Sequence, residues 1–465
     1  MITYQDLLAV GDSDGAKMEF VTKAINEHKQ SNLYQTARIA EEYNAHRNVT
    51  IMAFQKLLYT VTGEAVPDNW SANYKMACRH FHRFITQENQ YLLGNGVTWG
   101  DPGTADRLGN KRFSFDTQIQ TAGRKALVGG VSFGFFNLDH VEVFSVLEFV
   151  PLYDEENGAL SAGIRFWQIA ADKPLRATLY EMDGYTEYIW KNNRSEVYRE
   201  KRSYKLKVRA SEADGVEIYD AENYPAFPIV PLWANQERQS ELVGLREQID
   251  CYDLIKSGFA NTVDESSLIY WTIQNAGGMD DVDLTKFVER IKTVHAATVE
   301  DDGAKAESHT IEAPYQSREA LLERLDKDLY RDAMALDVEH IAAGATTATQ
   351  IRAAYEPLNA KTDGYEYCVL QFIQGILNVA GIDDEASFTR SAIINVNEDV
   401  QTLLQAATFL EPEYVTRKIM TLFGDADMVE EVLARIREEE IDQIREEPEE
   451  EAPEGSPEEG EAVNV

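Results

Sequence analysis

A chain of 465 residues with 44% hydrophobic and 10% aromatic side chains has the length of about three ordinary domains and can build real cores, which excludes a disordered protein overall. Its 44 basic residues stand against 80 acidic ones, a formal net charge of −36. That is the opposite of what gripping duplex DNA requires, because Lys and Arg must neutralise the phosphates.

Residues 438–465 hold 13 acidic residues and one arginine, a net −12 that leaves −24 for the body of the chain. Acidity of this degree serves solubility, keeps nucleic acid away, or belongs to a protein that handles DNA without holding it. No apolar run approaches the ~18 residues of a membrane span. Residues 1–15 lack the basic-then-apolar order of a secretory signal. Cys78, Cys251 and Cys368 are too scattered for a disulfide framework, which suits a reducing cytoplasm.

From Gln35 to Gln90 the spacing predicts helix, with Ile51, Phe54, Leu57 and Leu58 among its apolar positions. Tyr91 to Trp99, through Gly94 and Gly96, reads as a helix end and a glycine turn. Short β runs follow from about Lys125 to Pro231. They include Val128–Phe136, Val141–Leu147, a hairpin at Asp154–Gly158, Tyr180–Trp190 and Glu196–Val208. Asn235 is placed to cap a helix to about Glu265, with Leu242, Leu245, Ile249 and Tyr252 on one stripe.

Ser266–Gln274 is strand-like, Val282–Val294 reads as a short amphipathic helix, and Ala297–Ala313 as a hairpin turning at Asp301-Asp302-Gly303. Pro314 and Ser317 open a second long helix, with Leu321, Leu325, Leu329 and Leu336 on its apolar side. A loop of small residues, Ala342, Ala343, Gly344, Ala345 and Thr346, precedes a third helix that starts with capping-box spacing at Thr347 and runs to about Val379. Pro357 and Gly364 should bend it. Phe388–Val396 is β-like; Glu398–Leu410, Glu411–Phe423 and Ala426–Glu447 are helical; and the Glu/Pro/Gly mixture beyond Pro448 is disordered by composition.

Catalytic chemistry finds little support. The chain has no phosphate loop, no G-x-G-x-x-G after a strand and no G-x-S-x-G. Cys78, His80 and His82 resemble a metal cluster, but on a helix they point to different faces and no second ligand pair follows. Asp280, Asp281 and Asp283 precede a helix, where carboxylates favour the positive end of the dipole, and the glycine and terminal glutamate of an EF-hand are missing. No cofactor, metal or catalytic residue is expected.

Four stretches in order resemble the portal proteins of long-tailed double-stranded DNA bacteriophages. The first is Glu42-Tyr43-Asn44-Ala45-His46 with Tyr91-Leu92-Leu93-Gly94, where Asn44 stands in place of a family glycine. The second runs from Pro151-Leu152-Tyr153-Asp154-Glu155 through Ala162–Phe166 to Tyr185-Thr186-Glu187. Pro228-Ile229-Val230-Pro231-Leu232, Ser240-Glu241-Leu242 and Ile249-Asp250-Cys251-Tyr252-Asp253 to Asn261 form the third and most specific. Thr347-Ala348-Thr349-Gln350-Ile351 is the fourth.

The resemblance implies an α+β portal fold with an α/β wing, long paired stem helices, a small α/β clip and a helical crown. By position the wing is 1–229, the stem helices 231–265 and 317–341, and the clip 266–315. The tunnel loop is 342–346, a kinked long helix and wing return 347–396, the crown 397–447, and 448–465 a disordered acidic tail. It implies a homo-oligomeric ring, usually of twelve copies, at one capsid vertex of the virion, assembled in the host cytoplasm. Double-stranded DNA would pass through without sequence-specific binding.

The expected partners are terminase, a head-completion adaptor, and the major capsid and scaffolding proteins, with no membrane. Ala342, Ala343, Gly344, Ala345 and Thr346 would face DNA, Pro357 and Gly364 would be bends, and Lys286, Arg290 and Lys292 would be clip contacts to a partner. Residues 237–265 carry a net −4 and 318–341 a net −3, so the stem should guide DNA rather than bind it. Repulsion of that kind acts over about 8 Å at physiological salt. Two other readings stay open from the residues: a different ring-forming virion scaffold or adaptor, and an acidic metal-dependent intracellular enzyme.

Overall fold

The computed structural model describes residues 2–11, 13–60, 62–69, 71–191, 194–210, 217–266, 270–274, 285–286, 305–309, 315–339, 348–391, 403–407, 409–423 and 428–446. The chain separates into two compact units, Met1–Ala345 with Arg352–Ser391, and Thr346–Ile351 with Ala392–Val465. No helix among the described residues is long and apolar enough to cross a membrane.

The first unit begins with helices α1 (Tyr4–Val10), α2 (Asp14–Gln30), α3 (Asn32–Asn44) and α4 (Val49–Ala53). The helix expected over Gln35–Gln90 is broken. After α4 comes a hairpin of β1 (Leu57–Tyr59) and β2 (Ala65–Pro67), and only α5 (His80–Leu93) restores helix. The turn-forming Thr60, Thr62 and Gly63 interrupt the periodicity; Thr60 Oγ1 takes the Glu64 amide and Gly63 adopts φ +85°. The left-handed residue after α3 is His46 (φ 60°), whereas Asn44 is the last residue of the helix.

After β3 (Thr98–Trp99) and α6 (Thr104–Leu108), helix α7 (Phe115–Gly129) takes up the first residues expected as strand. Gly130, at φ +87°, ends it with its amide on Ala126 O. Strands β4 (Val131–Asn137) and β5 (His140–Ser145) follow, then β6 (Phe149–Tyr153), β7 (Leu160–Trp167), β8 (Leu175–Glu181), β9 (Gly184–Lys191) and β10 (Arg194–Arg202). The last five form one antiparallel sheet in the order β10-β9-β8-β7-β6, and its inner face buries Leu152, Ile164, Leu179 and Tyr188 against Phe20, Val21 and Ile25 of α2. β11 (Lys205–Ala210) and β12 (Glu217–Glu222) pair with each other, and β13 (Ile229–Trp233) joins β4 and β5 in the order β13-β4-β5. Pro231 lies in the edge strand of that sheet, a place that tolerates its missing N–H.

The larger core joins this three-stranded sheet to α3, α5, α7 and the long helix after residue 347. Gly123 of α7 is where they meet most closely. A Cβ there would lie 2.0 Å from the Tyr365 hydroxyl and 2.3 Å from Asn89 Oδ1, so only glycine fits.

The helix expected from Asn235 begins instead at Arg246, as α8 (Arg246–Ser266). The intervening loop is used to close the end of α7: Ser240 Oγ donates to Val128 O at 2.6 Å and the Glu241 amide to Leu127 O at 3.0 Å. The last carbonyls of a helix have no partner within it, and this loop supplies them. Asn235 holds the loop from inside, donating to Gln239 O and Glu241 Oε1.

Strand β14 (Tyr270–Gln274) pairs antiparallel with β15 (Lys305–His309), so the second arm of the expected 297–313 hairpin is joined to 270–274; its first arm lies outside the described residues. Helix α9 (Tyr315–Asp332) stops nine residues before the expected Ile341, where Met334 turns left-handed at φ 53°. Helix α10 (Ala348–Ala380) runs uninterrupted through both Pro357 and Gly364, and Gly381 ends it at φ 70°. Pro357 is exposed, while Tyr355 and Leu358 anchor the same turn in the interior. After β16 (Ala386–Ser387), which pairs with β3, residues 388–391 are irregular rather than β. In the second unit, α11 (Pro412–Phe423) and α12 (Val429–Glu446) are joined by Arg437–Glu413 and Arg417–Glu430 ion pairs.

Candidate functional site

Helices α8 and α9, the expected stem pair, pack against each other, with Arg318 donating to Gly258 O at 3.3 Å and Thr262 Oγ1 at 2.7 Å. A polar stripe on α8 fixes its place. Asp253 Oδ1 accepts the Cys78 amide at 2.8 Å, Ser257 Oγ accepts Met76 at 3.0 Å, and Asn261 Oδ1 accepts Tyr74 at 2.7 Å. Four helical residues rise about 6.0 Å and two extended residues span about 6.6 Å. An i, i+4, i+8 stripe is therefore matched to alternate amides of an extended chain running the other way.

Asn48 closes the same network on Asp253 Oδ2, and Tyr43 and Thr50 donate to Asp250 one turn earlier. At the far end Lys56 pairs with Glu265. Burial holds the Asp253 carboxyl above its ordinary value despite its donors, and burial, with Asp253 second, pushes the Cys78 thiol up to about 12. That thiol is an inert core group.

Helix α5 grips α9 from the other side. His80 Nε2 lies 2.7 Å from Asp326 Oδ1, Arg83 donates to the Tyr330 hydroxyl, and Gln87 both donates to Leu336 O and accepts its amide. The positions 80, 83 and 87 share one helical face. Cys78, His80 and His82 thus turn to Asp253, Asp326 and Asn44 respectively and do not converge. Among the described residues, no group of three or more His, Cys, Asp or Glu is arranged to hold a metal ion.

A third junction is ionic. Lys361 of α10 lies 2.8 Å from Glu88 Oε2 of α5 and 2.7 Å from Glu241 Oε2 in the loop before α8, and also donates to Ala333 O beyond α9. Its side chain is 15% exposed and that of Glu88 is 3% exposed. Burial raises Glu88 above the usual carboxylate range in spite of Lys361; the two carboxylates in turn raise Lys361 against its own burial. One ammonium therefore ties α10 to α5, to the loop before α8 and to the segment after α9.

These bonds revise the electrostatics of the pair. Of the acidic residues within 237–265 and 318–341, Glu241, Asp250, Asp253, Glu265 and Asp326 are engaged in internal contacts. Glu237, Glu247, Glu319, Glu323 and Glu339 are exposed. Part of the negative charge counted in the sequence is structural, and the exposed remainder is still acidic.

Of the residues singled out in the sequence, Pro357 and Gly364 lie within α10 and Lys286 is exposed in a short described helical stretch. Arg290 and Lys292, and the loop residues Ala342, Ala343, Gly344, Ala345 and Thr346, lie outside the described residues. Sequence reasoning missed Lys361 and the 253–257–261 stripe. The four-residue spacing of the stripe was a legible signal, whereas nothing local marks Lys361 as a buried cation.

The sequence model of a family described as phage portal protein, SPP1 Gp6-like, matches residues 23–454. The chain is 25% identical over 417 residues to the portal protein of Bacillus phage SPP1, covering 83% of this chain and 80% of that protein. It is also 25% identical over 203 residues to the portal protein of Clostridium phage phiCD119, 42% of this chain and 45% of the relative, so it spans under half of that second protein. Among solved structures, the neck of an empty gene transfer agent particle aligns at 10% identity with a TM-score of 0.45, over 74% of this chain and 90% of that one. An HK97-family phage portal protein from Corynebacterium diphtheriae aligns at 11% identity and a TM-score of 0.32, over 66% and 91%. An α+β chain built around a helix pair and a long third helix, and matched over nearly its whole length, is of the portal class. The chain belongs to the SPP1 Gp6-like family of phage portal proteins, a structural family of the virion's head-to-tail connector.

Proposed function

We propose that the chain is the subunit of a ring at one capsid vertex, the conduit through which double-stranded DNA enters during packaging and leaves on ejection. The observation that carries this reading is the α8–α9 pair, clamped on both flanks to the main core and presenting exposed carboxylates. Rigid helices whose surface repels phosphate guide a duplex and let it slide, because a basic wall would hold it through many phosphate contacts.

On this reading 231–265 and 317–341 form the stem, with 266–315 as the clip facing terminase and then the head-completion adaptor. Residues 342–346 are the loop nearest the DNA, and Lys286, Arg290 and Lys292 are partner contacts. The wing is 1–229 with the return 347–396, the crown is 397–447, and the acidic tail is a solvating segment. The subunit works without a cofactor and without catalysis of its own, and capsid and scaffolding proteins surround the ring during assembly in the host cytoplasm. Native mass spectrometry with electron microscopy of the purified chain tests it. A ring of about twelve copies with a central hole is expected, and a stable monomer or dimer overturns it.

A further inference from the structure

The β1–β2 ribbon leaves every described residue from Leu57 to Pro67 exposed, on both faces. Leu57, Leu58, Tyr59 and Val66 are 45, 42, 74 and 39% exposed, and the ribbon's sole charged residue is Glu64. A two-stranded hairpin without a covering layer is marginal in water. Apolar side chains gathered on such an element, with open strand edges, mark a surface that another chain covers.

A groove of about 500 Å³ lies between α3 and α4. Ile39, Val49 and Met52 form its apolar walls, and Arg38, Arg47 and Glu42 stand at its rim. Arg47 is held by Glu42 at 2.6 Å, while Arg38 points into solvent.

We propose that the ribbon of one subunit lies in the α3–α4 groove of a second copy of this chain, with Glu64 meeting Arg38. Ribbon and groove are unlike surfaces that match in kind: apolar with one carboxylate, against apolar with the Arg38 guanidinium and an Arg47 already paired with Glu42. Copies carrying −36 each repel at a distance, so their contact needs a local complement of this kind. Pairing of unlike patches is head-to-tail and repeats from subunit to subunit until the rotation closes. The inference rests on the ring reading above and names part of the contact that builds it.

The test uses the full chain. Charge reversal Glu64→Arg, or Leu58→Asp with Val66→Asp, is expected to weaken association by at least about tenfold. Far-UV circular dichroism and melting temperature stay unchanged for Glu64→Arg, which leaves the Leu58–Val66 cross-strand pair of the ribbon intact, and the same measurements check that the double aspartate variant is folded. Adding Arg38→Glu to Glu64→Arg restores assembly.

In a Cys251→Ser background, a chain carrying Glu64→Cys and one carrying Arg38→Cys cross-link to each other on oxidation, giving the mass of two chains. Wild-type rings with variants that assemble equally well, or a cross-link found only within one chain when both cysteines share it, overturn the ribbon contact and leave the ring reading standing. A wild-type chain that forms no ring overturns the ring reading, and the cross-link then reports separately on the contact.

Discussion

Asp253 Oδ1 accepts the backbone N–H of Cys78 at 2.8 Å, joining α8 to the segment that enters α5 across 175 residues of sequence. Asp253 is fully buried, and its second oxygen is taken by Asn48. The bond is one rung of three, and together the rungs decide where α8 stands on the core.

Removing rungs should destabilise in proportion to burial. Asp253→Ala leaves two buried donors without an acceptor and is expected to cost most; Ser257→Ala and Asn261→Ala each cost about 1–3 kcal/mol. Urea unfolding measures the loss, and proteolysis within 69–79 should quicken in the same order. Equal stability for all three variants would show that water replaces the stripe at no cost.

Lys361→Met leaves Glu88 and Glu241 facing each other in the interior without their cation. Breaking a buried ion pair from one side costs about 3–5 kcal/mol. Lys361→Met combined with Glu88→Gln should recover much of that loss, a coupling that a double-mutant cycle in chemical denaturation reads directly.

The same cluster gives a pH dependence. Burial raises the folded-state pKa of Glu88 above its unfolded value, so the folded chain holds this proton more tightly. Its contribution is fully present below the ordinary glutamate range and is lost as pH rises through the folded value. Glu88→Gln mimics the protonated form, and the variant should therefore fare better relative to wild type at pH 8 than at pH 5. Denaturation midpoints at the two pH values check the sign; the reverse order would mean that Lys361 outweighs burial.

In the loop proposed to face DNA, Gly344→Trp or Ala343→Trp is expected to obstruct DNA packaging while leaving ring assembly intact. Packaging assays on particles built with each variant, beside electron microscopy of the rings, separate the two effects. Normal packaging with tryptophan at both positions rejects a tunnel role for 342–346.

Charge reversal at Lys286, Arg290 and Lys292 should weaken binding of terminase and of the adaptor without altering ring formation. Surface-immobilised rings titrated with each partner provide the measurement, and unchanged affinity for both removes these residues from the partner surface.

The sequence by itself determined the order and kind of many elements. The β run from Val131 to Trp190, the helices at Pro412–Phe423 and Val429–Glu446, and the glycine turn after Leu93 all depend on local periodicity and turn chemistry. Of the expected helical stripe Leu242, Leu245, Ile249 and Tyr252, the first three are buried and Tyr252 is half-buried, although Leu242 and Leu245 lie in the loop before α8 rather than on a helix. Family membership was legible too, because motifs in a fixed order persist where overall identity is low.

Tertiary structure decided what periodicity cannot carry. Residues 235–245 have helical spacing, yet they are drawn into a loop because the last carbonyls of α7 need Ser240 and Glu241. Pro357 stays inside α10 because its turn is anchored by Tyr355 and Leu358. The acidic residues of 237–265 and 318–341 divided into internal and exposed carboxylates only when Lys361, Lys56 and the Cys78 amide arrived from distant positions. A charge acquires its role from its partners, and those partners are brought to it by folding.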